Sequence, residues 1–217
     1  EEARVSATDS PETPLPLRPL ARAFFARAVL EVARDLIGCI LVHESEEGMT
    51  SGMIVEAEAY ASDDPASHAY RGRTERNAPM FEDPGFAYVY FTYGMHYCLN
   101  AVTDRPGHAS AVLIRAVQPL EGIEVMRARR GAVRDRDLAR GPGRLTQAFG
   151  IARDQNRADL TTPPLMIAPG ERLPYKSVIA SPRIGLGALQ DGRPWRYSIE
   201  DNPWVSGAKN PKGSRRS

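Results

Sequence analysis

Lysine is missing from the first 175 residues; Lys176, Lys209 and Lys212 are the only three among 28 cationic side chains. That excludes from most of the chain the amine that forms Schiff bases with carbonyl carbons. Cysteine is scarce too. Cys39 and Cys98 stand alone, too few and too far apart for a metal motif, and two reduced thiols of a cytosolic chain are the expectation rather than a disulfide. The four histidines (His43, His68, His96 and His108) have no ligand spacing, so no metal and no cofactor is expected. No run of about 18 apolar residues exists, which excludes a membrane-spanning helix, and the first residues lack a signal-peptide layout. Excess charge is absent as well: the net value of +1 points to no partner by itself. The kind of cation says more. The 25 arginines could reflect a GC-rich genome, yet arginine is also the better fork for phosphate. No internal repeat is present. A length of 217 residues with 42% hydrophobic and 25% charged side chains suits one soluble domain.

What is present centres on residues 54–100. In Ile54-Val55-Glu56-Ala57-Glu58-Ala59-Tyr60, apolar residues alternate with acids, the period of a strand. Val55, Ala57 and Ala59 would take the packed face. Ile54, Glu56, Glu58 and Tyr60 would take the open one. Two readings compete: an edge strand with solvated acids, or a rigidly held catalytic carboxylate beside an aromatic wall.

Residues 1–19 carry four prolines and read as a disordered arm. The apolar spacing over 20–37 predicts one helix closed by Gly38. A strand at 39–43, a polar turn at 44–50 and the strand 51–60 make a hairpin. The long loop 61–85 holds His68, Arg71, Arg73, Arg76 and Asn77, a candidate phosphate-contacting surface or an ordinary charged loop. Two strands, 86–92 and 95–103, form a second hairpin with Tyr93-Gly94 at its tip. Four of the eight tyrosines lie in this hairpin. A tyrosine at a tip has nothing to pack on in its own turn, and such a wedge can enter a minor groove between bases. In the strand 109–117, Arg115 interrupts an apolar run and needs a carboxylate partner, with Glu56 and Glu58 the candidates.

Pro119 and Glu121 are expected to open a helix to about residue 130. Residues 127–144 hold seven arginines against Asp135 and Asp137, a net +5. This segment runs into Gly141-Pro142-Gly143-Arg144, a helix start whose free amides suit a backbone phosphate; a solvated helix face is the alternative. Short strands are expected near 165–168, 177–180 and 184–186. Trp195, Tyr197 and Trp204 should close the core, and the tail 207–217 should be basic and frayed. His43 and His108 read as surface residues, and His96 as a neighbour of the hairpin tip.

These residues, taken together, resemble a bacterial member of the alkyladenine (3-methyladenine) DNA glycosylase family. The resemblance spans roughly 20–206 and rests on several motifs in order: Ile54-Val55-Glu56 with Glu58-Ala59-Tyr60, His68, Arg76-Asn77 with Met80-Phe81, Tyr88-Val89-Tyr90 with Tyr93-Gly94-Met95, Cys98 with Asn100, and Leu113-Ile114-Arg115-Ala116. Asp135-Arg136-Asp137-Leu138, Gly141-Pro142 with Leu145, and Pro203-Trp204-Val205-Ser206 follow. It implies an α+β domain: a curved, mainly antiparallel sheet with helices around it and the Tyr93 hairpin projecting. It also implies roles. Glu58 would activate the water that attacks the sugar C1′, and Arg115 would hold that water or Glu58. Tyr60, His68 and Tyr90 would sandwich the extruded base, and Asn100 would reject the amino group of normal guanine. Tyr93 would fill the gap in the duplex, with Met95, Arg71, Arg73, Arg76, Asn77, Gly141 and Arg144 on DNA.

The implied partner is double-stranded DNA carrying damaged purines, and the implied protein is a monomer in the cytoplasm, associated with the nucleoid. With lysine absent before Lys176, a glycosylase without lyase activity is expected. Two rivals remain: a silent binder of nucleic acid using the same arginines and tyrosines, and a small-molecule hydrolase in which Glu56 and Glu58 act as an acid–base pair.

Overall fold

A computed structural model describes residues 17–92 and 94–206. Two short helices, α1 (Arg22–Phe25) and α2 (Val29–Asp35), precede the hairpin β1 (Ile40–Ser45) and β2 (Gly48–Tyr60). After a long loop come β3 (Ala87–Thr92), β4 (His96–Thr103) and β5 (Ser110–Glu121), then α3 (Ile123–Arg130) and α4 (Pro142–Phe149). The short strands β6 (Leu165–Ala168), β7 (Val178–Ser181) and β8 (Arg196–Ile199) complete the chain. All pairings are antiparallel, in the order β3-β4-β5-β2-β1-β6, and β8 joins β2 to β7. This is the expected α+β class.

β2 is the axis of the sheet. β5 follows one edge of it from Ser51 to Tyr60. The other edge is divided: β1 pairs with Gly48–Met53, and β8 pairs with Glu56–Glu58. The acids of β2 therefore have strands on both sides. The register shifts between Ser51 and Gly52 and again around Val55. Ile54 faces Val117, Glu56 faces Ala116 and Ala57 faces Ile114, so Val55 and Arg115 have no opposite partner. A bulge of this kind re-aims side chains. It turns Ile54 into the same core as Ala57 and Ala59, although its parity matches that of the acids.

One sheet face carries this core. Phe25, Leu36, Leu99, Ile114, Leu145 and Phe149 meet there without solvent exposure. The other face carries a smaller cluster beneath the long loop, with Met80, Tyr88, Val102 and Ala111. On that face a cross-strand row runs Tyr88–Asn100–Leu113–Glu58–Arg196 over five strands. Directly opposed residues share a face, so this row lays out the floor of the candidate site.

Several expectations need correction. The helix over 20–37 is two helices, because the Asp104 N–H takes the carbonyls of Phe25 and Arg27 (3.1 Å each) and Arg27 Nε takes that of Phe24 (2.9 Å). β5 continues through Pro119 to Glu121, and α3 begins only after Gly122. Residues 184–186 are not a strand: Gly185 and Gly187 have φ of +81° and +56°, and the extended segment lies later, at β8. His43 is buried, with Nδ1 2.6 Å from the Phe149 carbonyl oxygen. The acids of β2 are not on an open face, since Glu56 and Glu58 have no solvent exposure. Trp195 and Tyr197 pack on the main core as expected. Tyr93, the arm residues 1–16 and the tail 207–217 lie outside the described residues.

Candidate active site

The site opens on the face opposite the main core. A cavity of about 320 Å³ is lined by Tyr60, His68, Tyr88, Tyr90, Asn100 and Arg115, with Met80, Cys98, Leu113, Pro142 and the segment Ile184–Leu186 among its other walls. That volume and its mix of aromatic walls and few polar groups suit a small flat ligand. β3 and β4 supply Tyr88, Tyr90, Cys98 and Asn100; β2 and β5 supply Tyr60 and Arg115. The long loop closes over them with His68.

Glu58 lies directly behind this wall. Its Oε1 accepts the Ile184 N–H at 2.9 Å, and its Oε2 accepts the Tyr60 hydroxyl at 2.9 Å and Arg115 Nη1 at 3.2 Å. All three donors line the cavity. Donors alone around both oxygens are the pattern of an ionised carboxylate. Glu56 has a different circle. Its Oε1 accepts Arg115 Nε at 3.0 Å and Arg196 Nε at 2.6 Å, and its Oε2 accepts the Ser206 N–H at 2.6 Å. Arg115 also reaches Ser206 Oγ at 3.4 Å. Burial works against the Arg115 charge, but Glu58 and Glu56 outweigh it and raise its pKa.

The aromatic groups stay neutral. Burial, then the Glu58 charge, pushes the Tyr60 phenol far above its usual range. Burial does the same to Tyr90 and lifts Tyr88 to about 12. Burial, then the Arg76 charge, lowers His68 below its usual 6.5, and His68 Nδ1 lies 2.9 Å from the Tyr88 hydroxyl. The His68 and Tyr90 rings are 4.5 Å apart at 69°, and Tyr88 and Tyr90 are 5.3 Å apart at 32°. Asn100 is buried on the floor, donating Nδ2 to the Tyr88 carbonyl at 2.9 Å.

The residues expected to meet DNA fall into several groups. Arg71 and Arg73 are exposed and form no ion pair among the described residues. Arg76 flanks the cavity: Nη2 donates to the Phe91 carbonyl at 3.2 Å, and its guanidinium lies 5.5 Å from the Tyr90 ring. Met95 is among the most exposed apolar side chains, at 69%. Asn77 departs from expectation. It is buried, and its side chain ties the loop together through the His68 carbonyl (2.8 Å), the Gly72 carbonyl (2.9 Å) and the Thr74 N–H (2.6 Å). Gly141 precedes α4 at φ +136°, a conformation that L side chains rarely adopt. Gly143 lets α4 approach β4, since a Cβ there would lie 2.9 Å from His96 Cγ. The start of α4 thus reaches the cavity rim through Pro142.

Much of the +5 segment is committed within the protein. Arg127 pairs with Asp135 and Glu124, Arg129 with Glu47, and Arg140 Nε donates to the Val205 carbonyl. Arg134, Arg136 and Arg144 gather on Asp137, and half of the Arg144 side chain remains exposed.

Sequence reasoning missed Arg183, Arg196, Asp64 and the Ile184 amide. The polar stretch 181–196 has no periodicity, so only the fold brings these groups to β2. Ser206 belongs to a quoted motif, and the structure now gives it work: its N–H holds Glu56, and its carbonyl accepts Arg196 Nη2 at 2.9 Å.

A sequence model of the family described as methylpurine-DNA glycosylase (MPG) matches residues 23–203. Among curated proteins, one from Carboxydothermus hydrogenoformans is 48% identical over 188 residues, covering 86% of this chain and 98% of its own. A second, from Rhodopseudomonas palustris strain HaA2, is 50% identical over 188 residues, covering 87% and 90%. A third, from Streptomyces avermitilis, is 46% identical over 193 residues, covering 87% and 91%. All three carry the name "Putative 3-methyladenine DNA glycosylase".

Proposed function

The chain belongs to the methylpurine-DNA glycosylase family, enzymes of DNA repair that act on alkylation damage, and from that premise we propose how its own residues do the work. The substrate is duplex DNA with a methylated or deaminated purine, of the 3-methyladenine, 7-methylguanine, hypoxanthine and ethenoadenine class. The enzyme extrudes the nucleotide, hydrolyses its N-glycosidic bond and leaves an intact abasic site for base excision repair. It acts as a monomer in the cytoplasm, on the nucleoid.

The observation that carries this reading is Glu58: a buried carboxylate held by three donors from residues that line the cavity. Extrusion costs a few kcal/mol. Stacking returns about 1–3 kcal/mol per base, and Tyr60, His68 and Tyr90 offer the surfaces. A purine methylated at N3 or N7 is cationic, and a desolvated tyrosine face favours a cation by up to about 2 kcal/mol. A neutral His68 suits that cation. The same cation weakens its glycosidic bond, so the reaction mostly needs an anion to stabilise an oxocarbenium-like sugar and a base for the water. Glu58 supplies both. Glu56, consumed by two guanidinium groups and an amide, is not its acid–base partner, which argues against a two-carboxylate hydrolase. Asn100 screens the floor against the amino group of guanine.

Tyr93 fills the gap in the duplex and Met95 meets the DNA, while Arg71, Arg73, Arg76, Gly141 and Arg144 contact phosphates. Lys176 is the only lysine among the described residues and does not line the cavity, in keeping with hydrolysis without lyase chemistry.

The test is base release from an end-labelled, methylated duplex, comparing wild type, Glu58→Gln and Tyr93→Ala with and without hot alkali. Strand cleavage only after alkali, lost by about 10²–10⁴-fold in Glu58→Gln and reduced in Tyr93→Ala, is the expected result. Cleavage without alkali overturns the monofunctional reading. Undiminished release by Glu58→Gln overturns the assignment of the base.

A further inference from the structure

Behind Tyr60 stands a stack of side chains that the proposed chemistry does not use. The Arg183 guanidinium lies 4.6 Å from the Tyr60 ring centroid and 5.2 Å from that of Trp195, and Arg193 lies 4.6 Å from Trp195. Cations and aromatic rings thus alternate from the cavity wall outward. Arg183 is 1% exposed and does not line the cavity, so it covers Tyr60 from behind.

A fully buried guanidinium is costly unless every part of it is matched. Here Asp64, also buried, takes both terminal nitrogens, Nη1 at short range and Nη2 at 3.2 Å. The Ala59 carbonyl accepts Nη1 at 2.9 Å, and Asp191 lies 3.5 Å from Nη2. Arg183 Nε has no partner among the described residues. A core that needed only filling would be served by an apolar side chain, without an orphaned donor.

The contacts of Arg183 converge on Glu58 by three routes. Ala59 is the residue after Glu58 on β2, and its carbonyl is fixed by Arg183. Tyr60, stacked on Arg183, donates its hydroxyl to Glu58 Oε2. Ile184, the next residue after Arg183, donates its N–H to Glu58 Oε1. We propose that Arg183 is a positioning residue for the glycosylase reaction: through Tyr60 and the Ile184 amide it fixes the orientation of the Glu58 carboxylate toward the attacking water. Asp64 supports this by holding Arg183, while its Oδ1 also accepts the Ala66 N–H at 3.0 Å and lies 4.0 Å from Arg193 Nη1. The inference rests on the assignment of Glu58 as base given above.

Misplacing a reacting group by about 1 Å can cost on the order of 10²-fold in rate. Lysine keeps the charge of Arg183 but cannot bridge both Asp64 oxygens and the Ala59 carbonyl while lying flat on a ring. The experiment measures single-turnover base release and the dissociation constant for undamaged duplex in Arg183→Lys and Asp64→Asn, with tryptophan emission reporting Trp195 in the stack. Arg183→Lys should release base at least tenfold more slowly and Asp64→Asn several-fold more slowly, each binding duplex within threefold of wild type. Asp64→Asn keeps its size and carries the test if Arg183→Lys fails to fold.

Wild-type rates in folded variants with altered emission overturn the proposal, because the stack would then be structural only. A rate loss matched by an equal loss of duplex binding overturns it too. Full activity in Glu58→Gln signals instead that the assignment of the base has failed.

Discussion

A single guanidinium joins Glu56 to Glu58: Arg115 reaches the first through Nε at 3.0 Å and the second through Nη1 at 3.2 Å. The two acids are neighbours on one face of β2, yet their remaining partners differ in kind. Those of Glu56 are Arg196 and the Ser206 amide, which close β8 and the end of the described chain over the strand. Those of Glu58 are Tyr60 and the Ile184 amide, which line the cavity. One acid ties the fold together, and the other is held by the residues of the cavity wall.

Glu56→Gln should therefore be a stability mutation. It leaves Arg115 and Arg196 buried without their shared anion, and breaking a buried pair costs about 3–5 kcal/mol. Urea unfolding should show a loss of that order, with the duplex affinity of the folded fraction unchanged. Glu58→Gln, which removes a partner from one guanidinium rather than two, should cost less. Equal losses in the two variants would contradict this division.

Acid should weaken the fold through His43 and His68. Burial lowers both below 6.5, opposed at His43 by its bond to the Phe149 carbonyl and reinforced at His68 by Arg76. As pH falls past the unfolded value of about 6.5, the unfolded chain takes up protons that these two rings decline. Their contribution is complete above that pH and is lost as pH falls toward their folded values, at no more than about 1.4 kcal/mol per pH unit for each ring. Unfolding free energies at pH 5 and 7.5 should differ in that direction, and His68→Gln should shrink the difference. A pH-independent stability would contradict the assignment.

Arg71→Gln with Arg73→Gln should flatten the salt dependence of duplex binding. Each phosphate contact contributes a slope of about 0.9 in log K against log salt, so the double variant should lose up to about 1.8. Arg127→Gln is the comparison. Its charge is already matched by Glu124 and Asp135, and its slope should stay at the wild-type value. Fluorescence anisotropy over a salt series reads both.

The sequence makes the sheet legible where its residues alternate. The β1–β2 and β3–β4 hairpins follow from alternation and turns, and Arg115 shows its need for an acid because it interrupts an apolar run. Alternation also misleads at β2. It places Ile54 with the acids and the acids on an open face, because it carries no sign of the bulge at Val55 or of β8 arriving from 140 residues downstream to cover Glu56. The break between α1 and α2 is hidden for the same reason: the N–H that donates to the Phe25 and Arg27 carbonyls belongs to the distant Asp104. Of the site, the cavity-wall residues could be named from the chain. Arg183, Asp64 and the Ile184 amide could not, since they come from loops whose composition looks like solvent-facing turn. Asn77 shows the converse, a polar loop residue whose hydrogen bonds all turn inward.

The unmatched pair Val55 and Arg115 has a consequence for folding itself. A slip of β2 by one residue against β5 would carry Glu56 and Glu58 to the opposite face, among the apolar side chains of Phe25, Leu36 and Ile114, which cannot neutralise them. Misregistered chains are thereby penalised by the same two charges that Arg115 joins in the finished sheet. The burial of the two acids thus sets the strand register as well as the wall behind the cavity.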